Sequence, residues 1–453
     1  MHMKKIEEDY IKYIEANLEE NRKTGRAALE YIENSTAKYK GETISTRYMP
    51  KVFPAGVVEY LKGKIGTMYG ILQKVAAQYM QRAEYRALFG FSERLERLIL
   101  NLPGYSNLLP MLRLDIFLNE EDLSFKFCEF NADGTSSMNE DRELNIALKL
   151  TSAYKELERK YELSSFELFD SWAAEFAEIY STYEHRVERP YIAIVDFLEK
   201  GSSIEEFEQF KMAFERAGYE AEICEIRGLK FDGEQLYSET GRVINAVYRR
   251  AVTSDIFEHL AESAAFVEAA QKNKVCVIGN FCTHVVHDKI LFYILNCAET
   301  LAFLEPHERE FIKAHIPYTV ALSGQTAAEN RVIDNKDKWI IKPRDSYGAK
   351  NIYAGINMDG AEWAETVTSK LDSGYVLQEF ITPYKSANID FREADPEFTE
   401  YSNLTGIYVY NGKLKGIYSR QSKVNIISGY YNETVIPSVV AKAKKGEFEG
   451  TGI

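Results

Sequence analysis

The stretch "MLRLDIFLNEEDLSFKFCEFNADGTSS", residues 111–137, constrains the fold more than any other part of the chain. Apolar and polar residues alternate through "MLRLDIFLN" and again through "LSFKFCEFNA", and the acidic "EEDL" between them reads as the turn of an antiparallel hairpin. Side chains two apart in a strand point to one side. Arg113 and Asp115 therefore share a face of one strand, and Glu129 and Asn131 share a face of its partner. Paired, they project a guanidinium, two carboxylates and an amide from a surface flanked by apolar and aromatic residues. Such sets are often solvated salt bridges. Beside a core, however, hard oxygen donors suit Mg²⁺, which uses one or two carboxylates and completes its shell with phosphate oxygens and water.

The rest of the chain must then supply a site for the phosphate that shares that ion. With 453 residues, 45% hydrophobic and 27% charged, the chain is long enough for two or three cores. Its formal charge of -14 argues against non-specific binding to nucleic acid or anionic membranes, so an anionic ligand needs a local positive pocket. No apolar run approaches the roughly 18–20 residues that span a bilayer, and "MHMKKIEEDY" has no signal-peptide core, so a cytoplasmic location is expected. The five cysteines form no CxxC pair, which speaks against a disulfide framework or structural zinc. Cys282, His284, His287 and Asp288 in "NFCTHVVHDK" lack a zinc spacing and read as a strand-to-helix junction with Asp288 near the cap.

Periodicity divides the chain into four regions. Residues 1–100 read as a helical packing region, with apolar residues at three-to-four spacing from residue 4 onward. Residues 101–189 carry the hairpin and further helices. From Pro190, "YIAIVDFL", the amphipathic "SIEEFEQFKMAFERAG", "YEAEICEI" and "RVINAVYRR" suggest a small open α/β unit over 190–285, a type that binds ligands at its strand ends. Arg249 and Arg250 close its third strand and are candidates for holding a substrate carboxylate. Residues 286–453 begin with a long helix from about Asp288 and end in a hairpin turning at Asn411-Gly412.

Two motifs in this last region speak of a nucleotide. In "WIIKPRDSYGAKNIYAG" an apolar strand delivers Lys342, and a loop with Ser346 and Gly348 follows, able to offer backbone N–H groups to phosphates. The spacing is not that of a P-loop. Some thirty residues on, "YVLQEFI" ends a strand in Gln378 and Glu379, placed to meet an adenine edge and a ribose hydroxyl. Lys289 and Lys350 are further candidate phosphate contacts.

The "KP…SYGAKN" loop, "YVLQEF", "RLD" and "EFNADG" together resemble the circularly permuted ATP-grasp ligases, specifically the glutathionylspermidine synthase-like group, over about residues 100–440. The mark of the permutation is that the acidic motif precedes the lysine loop. The resemblance implies an α/β fold of α+β lobes: a circularly permuted ATP-grasp fold with a pre-ATP-grasp-like α/β domain and N-terminal helices. It implies ATP and two Mg²⁺ ions as cofactors, with Asp115, Glu129 and Asn131 as metal ligands. Arg113 matches an arginine near the reacting groups, and Lys342, Lys289 and Arg420 match basic positions around the nucleotide. Ser136 and Ser137 lie where the family holds substrate, with Arg250 nearby. No segment matches the Cys/His amidase domain that some bacterial members carry.

The expected activity is ADP-forming ligation of a small-molecule carboxylate to an amine through an acyl phosphate, with no nucleic-acid or membrane partner. A non-catalytic ATP-binding protein and an ATP-grasp phosphotransferase are the alternatives. The substrate pair and oligomeric state are left open by the sequence.

Overall fold

The alternation of residues 111–131 produces the expected hairpin. In the computed structural model, which describes residues 2–199, 202–346, 350–429 and 432–444, strands Met111–Leu118 and Phe125–Asn131 pair antiparallel, with Arg113 opposite Asn131 and Asp115 opposite Glu129. The register then slips, Ile116 facing Phe127, so Cys128 is the extra residue of a β-bulge. The bulge resets the parity of the strand. Phe125, Phe127 and Phe130 all reach one core with Leu112, Leu114 and Ile116, while Glu129 and Asn131 stay beside Arg113 and Asp115.

This hairpin is the edge of the largest sheet, whose strands run in the order Thr434–Ile436, Lys413–Ser422, Thr399–Tyr410, Met111–Leu118, Phe125–Asn131, with Lys385–Asn388 pairing to the start of Thr399–Tyr410. Asp115 lies opposite Gly406, and Arg420 lies opposite Leu404 in the next ladder, so residues far apart in the chain become neighbours. Asn411 and Gly412 both have positive φ, 48° and 81°, as a two-residue primed hairpin turn requires. Helix Ala55–Gln81 lays Leu61, Ile65, Met68 and Leu72 against one face of the sheet. On the other, Tyr408, Tyr410 and Tyr418 pack with Trp172 and Tyr248.

The α/β unit is a four-stranded parallel sheet in the order Cys276–Ile278, Ala246–Arg249, Tyr191–Asp196, Glu220–Glu225. Its near-continuous apolar runs fit strands covered on both faces, one of them by helix Ile204–Arg216. The lysine-bearing sheet is antiparallel, in the order Thr319–Ala321, Tyr375–Glu379, Trp339–Pro343, Tyr353–Ala354. Helix Gly360–Lys370, capped by Asp359 accepting from the N–H of Glu362, covers it through Trp363 and Val367.

Two expectations need correction. The N-terminal region is not helical throughout: Lys38–Tyr39 pairs with Glu42–Thr43, and Lys51–Pro54 adds in parallel to Ser438–Ala443. The long helix expected from Asp288 is a series of short ones, His284–His287, Leu291–Ile294, Ala298–Phe303 and Pro306–His315. Asp288 leaves the helical region at ψ 129° and its carboxylate accepts from the N–H of Ile290, restarting the chain as a cap does. Pro306 opens the last helix at its first position.

Candidate functional site

Residues of the hairpin sheet, the parallel sheet and the lysine-bearing sheet, with the small hairpin Lys38–Tyr39/Glu42–Thr43, line one cavity of about 860 Å³. The hairpin contributes Arg113, Glu129 and Asn131, and the lysine-bearing sheet Lys342, Gln378 and Glu379; Arg420 comes from strand Lys413–Ser422, one strand removed from the hairpin in the hairpin's own sheet. Ser136, Ser137, Arg250, Lys289 and Lys350 complete the predicted residues on its wall. Ile340, Ile352, Phe380, Ile381 and Leu404 add an apolar portion beside Lys342. Gly348 lies outside the described residues.

Asp115 sits behind the wall, fully buried, and its carboxylate is saturated. Arg113 donates to both oxygens, Nε to Oδ1 at 2.8 Å and Nη2 to Oδ2 at 3.1 Å. Arg420 Nη2 reaches Oδ2 at 2.5 Å, and Asn131 Nδ2 donates to the same oxygen at 3.2 Å. Gly406 is small for this reason: a Cβ there would stand 2.8 Å from Asp115 Oδ1 and 3.0 Å from Arg113 Cδ. With its amide nitrogen turned to Asp115, Asn131 leaves its oxygen for the cavity.

Glu129 carries the negative charge that the cavity itself sees. Its Oε1 lies 2.8 Å from Lys289 Nζ, which also donates to the Ser346 carbonyl at 2.7 Å. Burial alone would raise the Glu129 carboxyl, but Lys289, Lys342 and His287 outweigh it and bring it down to about 2. Lys342 Nζ donates to Gln378 Oε1 at 2.8 Å and to the carbonyl of the bulged Cys128 at 3.4 Å. Gln378 is oriented in turn by Thr319, whose hydroxyl accepts from Nε2 at 3.0 Å. The bulge and Gln378 thus cooperate to aim one lysine. Ser346 contributes its carbonyl, and its hydroxyl is buried without a partner among the described residues.

The turn after the hairpin is pinned to the parallel sheet. Gly134 has φ 61°, and a Cβ there would meet the Arg250 carbonyl at 2.7 Å. Arg250 donates to the Thr135 carbonyl and pairs with Glu206 at 2.7 Å. Glu206 also accepts from the N–H of Met138 at 2.7 Å, capping helix Met138–Leu148 where Ser137, at φ 83°, enters it. The Ser136 carbonyl accepts from Arg113 and from the Tyr408 hydroxyl, at 3.1 and 2.8 Å. Arg249 faces away from the cavity: its side chain is wholly buried, paired with Asp133 and bonded to loop carbonyls.

The cavity also holds acids that periodicity did not single out. Asp196, at the end of its strand, is pushed up to about 7 by burial, although Arg250 opposes this. Asp255 is pushed up to about 6 by burial, with Asp345 and Asp133 adding to it. Glu140, one helical turn past the serines in "SSMNE", is held well above the usual carboxylate range by burial and then by Glu206. A charged residue in the first turn of a helix ordinarily reads as dipole compensation, which concealed it.

No family model matches the chain, and no curated protein matches it. Among solved structures, a glutathione synthetase-like effector of Globodera pallida superposes with a TM-score of 0.60 at 13% identity, covering 92% of this chain and 96% of that one. The chain shares the fold of that protein, a mixed α/β architecture of helices and several sheets. A candidate gamma-glutamylcysteine synthetase of Methylobacillus flagellatus aligns at a TM-score of 0.41 and 10% identity, covering 86% of this chain and 89% of that one. A RimK-domain ATP-grasp protein of Sphaerobacter thermophilus aligns at 0.29 and 13%, covering 55% and 90%. At such identities the likeness concerns architecture. Among the described residues, no helix is long and apolar enough to cross a membrane.

Proposed function

We propose that the chain is an ATP-dependent carboxylate–amine ligase of the circularly permuted ATP-grasp type, similar to glutathionylspermidine synthase. The observation that carries this reading is the convergence of Lys289 and Lys342 on the Glu129–Asn131 edge of one cavity. Cations and acidic oxygens side by side fit a nucleoside triphosphate with its metal, in a molecule whose net negative charge would otherwise repel the triphosphate.

The donor set fits Mg²⁺ with one qualification. No group of three or more His, Cys, Asp and Glu side chains that could hold a metal occurs among the described residues, so an ion here must draw on an amide. Glu129 and Asn131 offer oxygens to the cavity, and Asp115 becomes a ligand only if Arg420 or Arg113 yields one of its oxygens. When bound, Mg²⁺ supplies charge neutralisation for the phosphate oxygens.

A free carboxylate resists amines because its leaving group would be oxide. Transfer of the γ-phosphoryl group to it makes an acyl phosphate, and phosphate then departs instead. Lys342, aimed by Gln378, and Lys289, held by Glu129, orient and offset the charge on the transferring group. Arg113 is fixed through Asp115 and the Ser136 carbonyl, beside the turn expected to receive the substrate. From there it stabilises the oxyanion formed as the amine attacks. The apolar portion by Lys342 receives the base of the nucleotide and excludes water.

The test is ADP release with Mg²⁺ and ATP across a panel pairing glutamate, γ-glutamylcysteine or glutathione with cysteine, glycine or spermidine. Release should require both a carboxylate and an amine, and Lys342→Ala or Glu129→Gln should reduce it by about 10²-fold or more. Release that needs no amine, with a phosphorylated product by mass, would make the protein a phosphotransferase. Near-normal turnover in both variants would remove the assigned site.

A further inference from the structure

Glu140 occupies an unusual place in the cavity wall. It is the third residue of helix Met138–Leu148, 6% exposed, and lines the cavity between the serine turn and Tyr418. Of the nearby carboxylates, Asp115 pairs with Arg113 and Arg420, Glu129 with Lys289, Asp133 with Arg249 and Glu206 with Arg250; the adjoining Asp141, also buried without a cation, is held off the cavity wall by the Ser438 N–H and Asn145. Among the described residues, no cation pairs with Glu140 and no other side chain hydrogen-bonds to it. The groups facing it are Glu206 from the crossing helix, Glu433, Arg113 from the hairpin, and the phenols of Tyr408 and Tyr418. A buried acid left without a cation is costly to folding, and such groups concentrate where a proton has to move.

The ligase reading creates that need. An alkylamine with a pKa near ~10 arrives as an ammonium ion, which has no lone pair to attack with. In water a carboxylate is too weak a base to deprotonate it by about 6 units. A buried cavity narrows the gap from both sides, because burial penalises the carboxylate and the ammonium alike and favours the neutral acid with the neutral amine. Glu206 adds to this as an anion fixed by Arg250 and by the N–H groups of Met138 and Asn139.

We infer that Glu140 is the general base that takes the proton from the attacking amine. The inference rests on the ligase reading. The ammonium N–H bond breaks, its proton passes to the Glu140 carboxylate, and its electron pair becomes the nitrogen lone pair. That pair forms the C–N bond to the acyl carbon, and the bond from this carbon to the phosphate oxygen breaks with its electrons on oxygen. The second proton lost by nitrogen leaves with the phosphate as hydrogen phosphate. Glu140 returns the first proton to solvent, so acyl phosphate and ammonium give amide, hydrogen phosphate and one proton.

Hydroxylamine separates this role from others, because its nitrogen is already neutral at the pH of the assay and needs no base. With the panel pair that gives the fastest ADP release, Glu140→Gln should slow amine-dependent release about 10²- to 10⁴-fold. The same variant should still form hydroxamate from the same carboxylate, ATP, Mg²⁺ and hydroxylamine at nearly the parent rate. Near-parental release with the amine would overturn the assignment of Glu140 alone, and so would equal loss of both reactions in a variant that melts normally. If the glutamine variant melts early, Glu140→Met, apolar and of similar length, is read for the same split, and failure to show it overturns the assignment. Absence of ADP release by the parent with every pair would remove the ligase reading and the base together.

Discussion

Glu129 shows how much one residue depends on partners from elsewhere in the chain. Its carboxyl is drawn down to about 2, with burial opposing and Lys289, Lys342 and His287 outweighing it. The folded value lies below the unfolded one, so the stability it contributes is fully present above pH ~4.5 and is lost as pH falls toward 2. A shift from 4.5 to about 2 corresponds to about 3 kcal/mol as an order of magnitude. Denaturant unfolding between pH 6 and pH 3 should therefore show a steeper loss of stability in the parent than in Glu129→Gln, which lacks the titrating group. The variant should also be less stable at neutral pH, since Lys289 is left buried without its anion. Equal slopes for the two proteins would mean that Lys289 is not holding Glu129 in solution. Strand parity made Arg113, Asp115, Glu129 and Asn131 legible as one face, and the register bears this out. That Arg420 would lock Asp115 was beyond it, because parity says nothing of which distant side chain crosses the sheet.

At the scale of elements, local signals were strongest where the backbone itself was constrained. Asn411-Gly412 announced its hairpin because only such a pair tolerates positive φ at both central positions. Gly412 carries a second constraint that the sequence did not reveal. A Cβ there would stand 2.8 Å from Tyr69 Cε1, and that ring is anchored by its hydroxyl bonding Asn107 and Leu109, so it cannot turn aside. Gly412→Ala should lower stability by about 2–3 kcal/mol, from left-handed strain plus overpacking. The expected readout is a drop in the urea midpoint with an unchanged slope; an unchanged midpoint would show that the turn relaxes at no cost. The alternation of the hairpin and the apolar runs of the parallel sheet were equally legible. The segments 284–315 and 38–54 were not, because their apolar spacing is compatible with a helix. What decides them is capping by Asp288 and Pro306 in the first, and in the second a strand whose partner, Ser438–Ala443, lies near the other end of the chain.

For the whole molecule, the cavity is a joint where three of the sheets meet. Lys342 comes from the lysine-bearing sheet, Glu129 and Asn131 from the hairpin sheet, and Asp196 and Arg250 from the strand ends of the parallel sheet. A ligand that binds only this joined arrangement stabilises it by about 2.7 kcal/mol at a concentration a hundred times its dissociation constant. In a chain of this length that is a rise of about one to three degrees in the melting midpoint. Mg²⁺ with ATP should produce such a rise, and the rise should shrink when Mg²⁺ is withheld, because the phosphate oxygens would then face Glu129 without a cation between them. Lys342→Ala should abolish most of it while lowering the unliganded midpoint only modestly, since the lysine's hydrogen-bond partners are a neutral amide and a carbonyl and Glu129, which it also helps to hold down, keeps Lys289. A midpoint that ignores Mg²⁺ and ATP, or that rises equally in the parent and in Lys342→Ala, would mean that the cations of the cavity serve an anion other than a nucleotide.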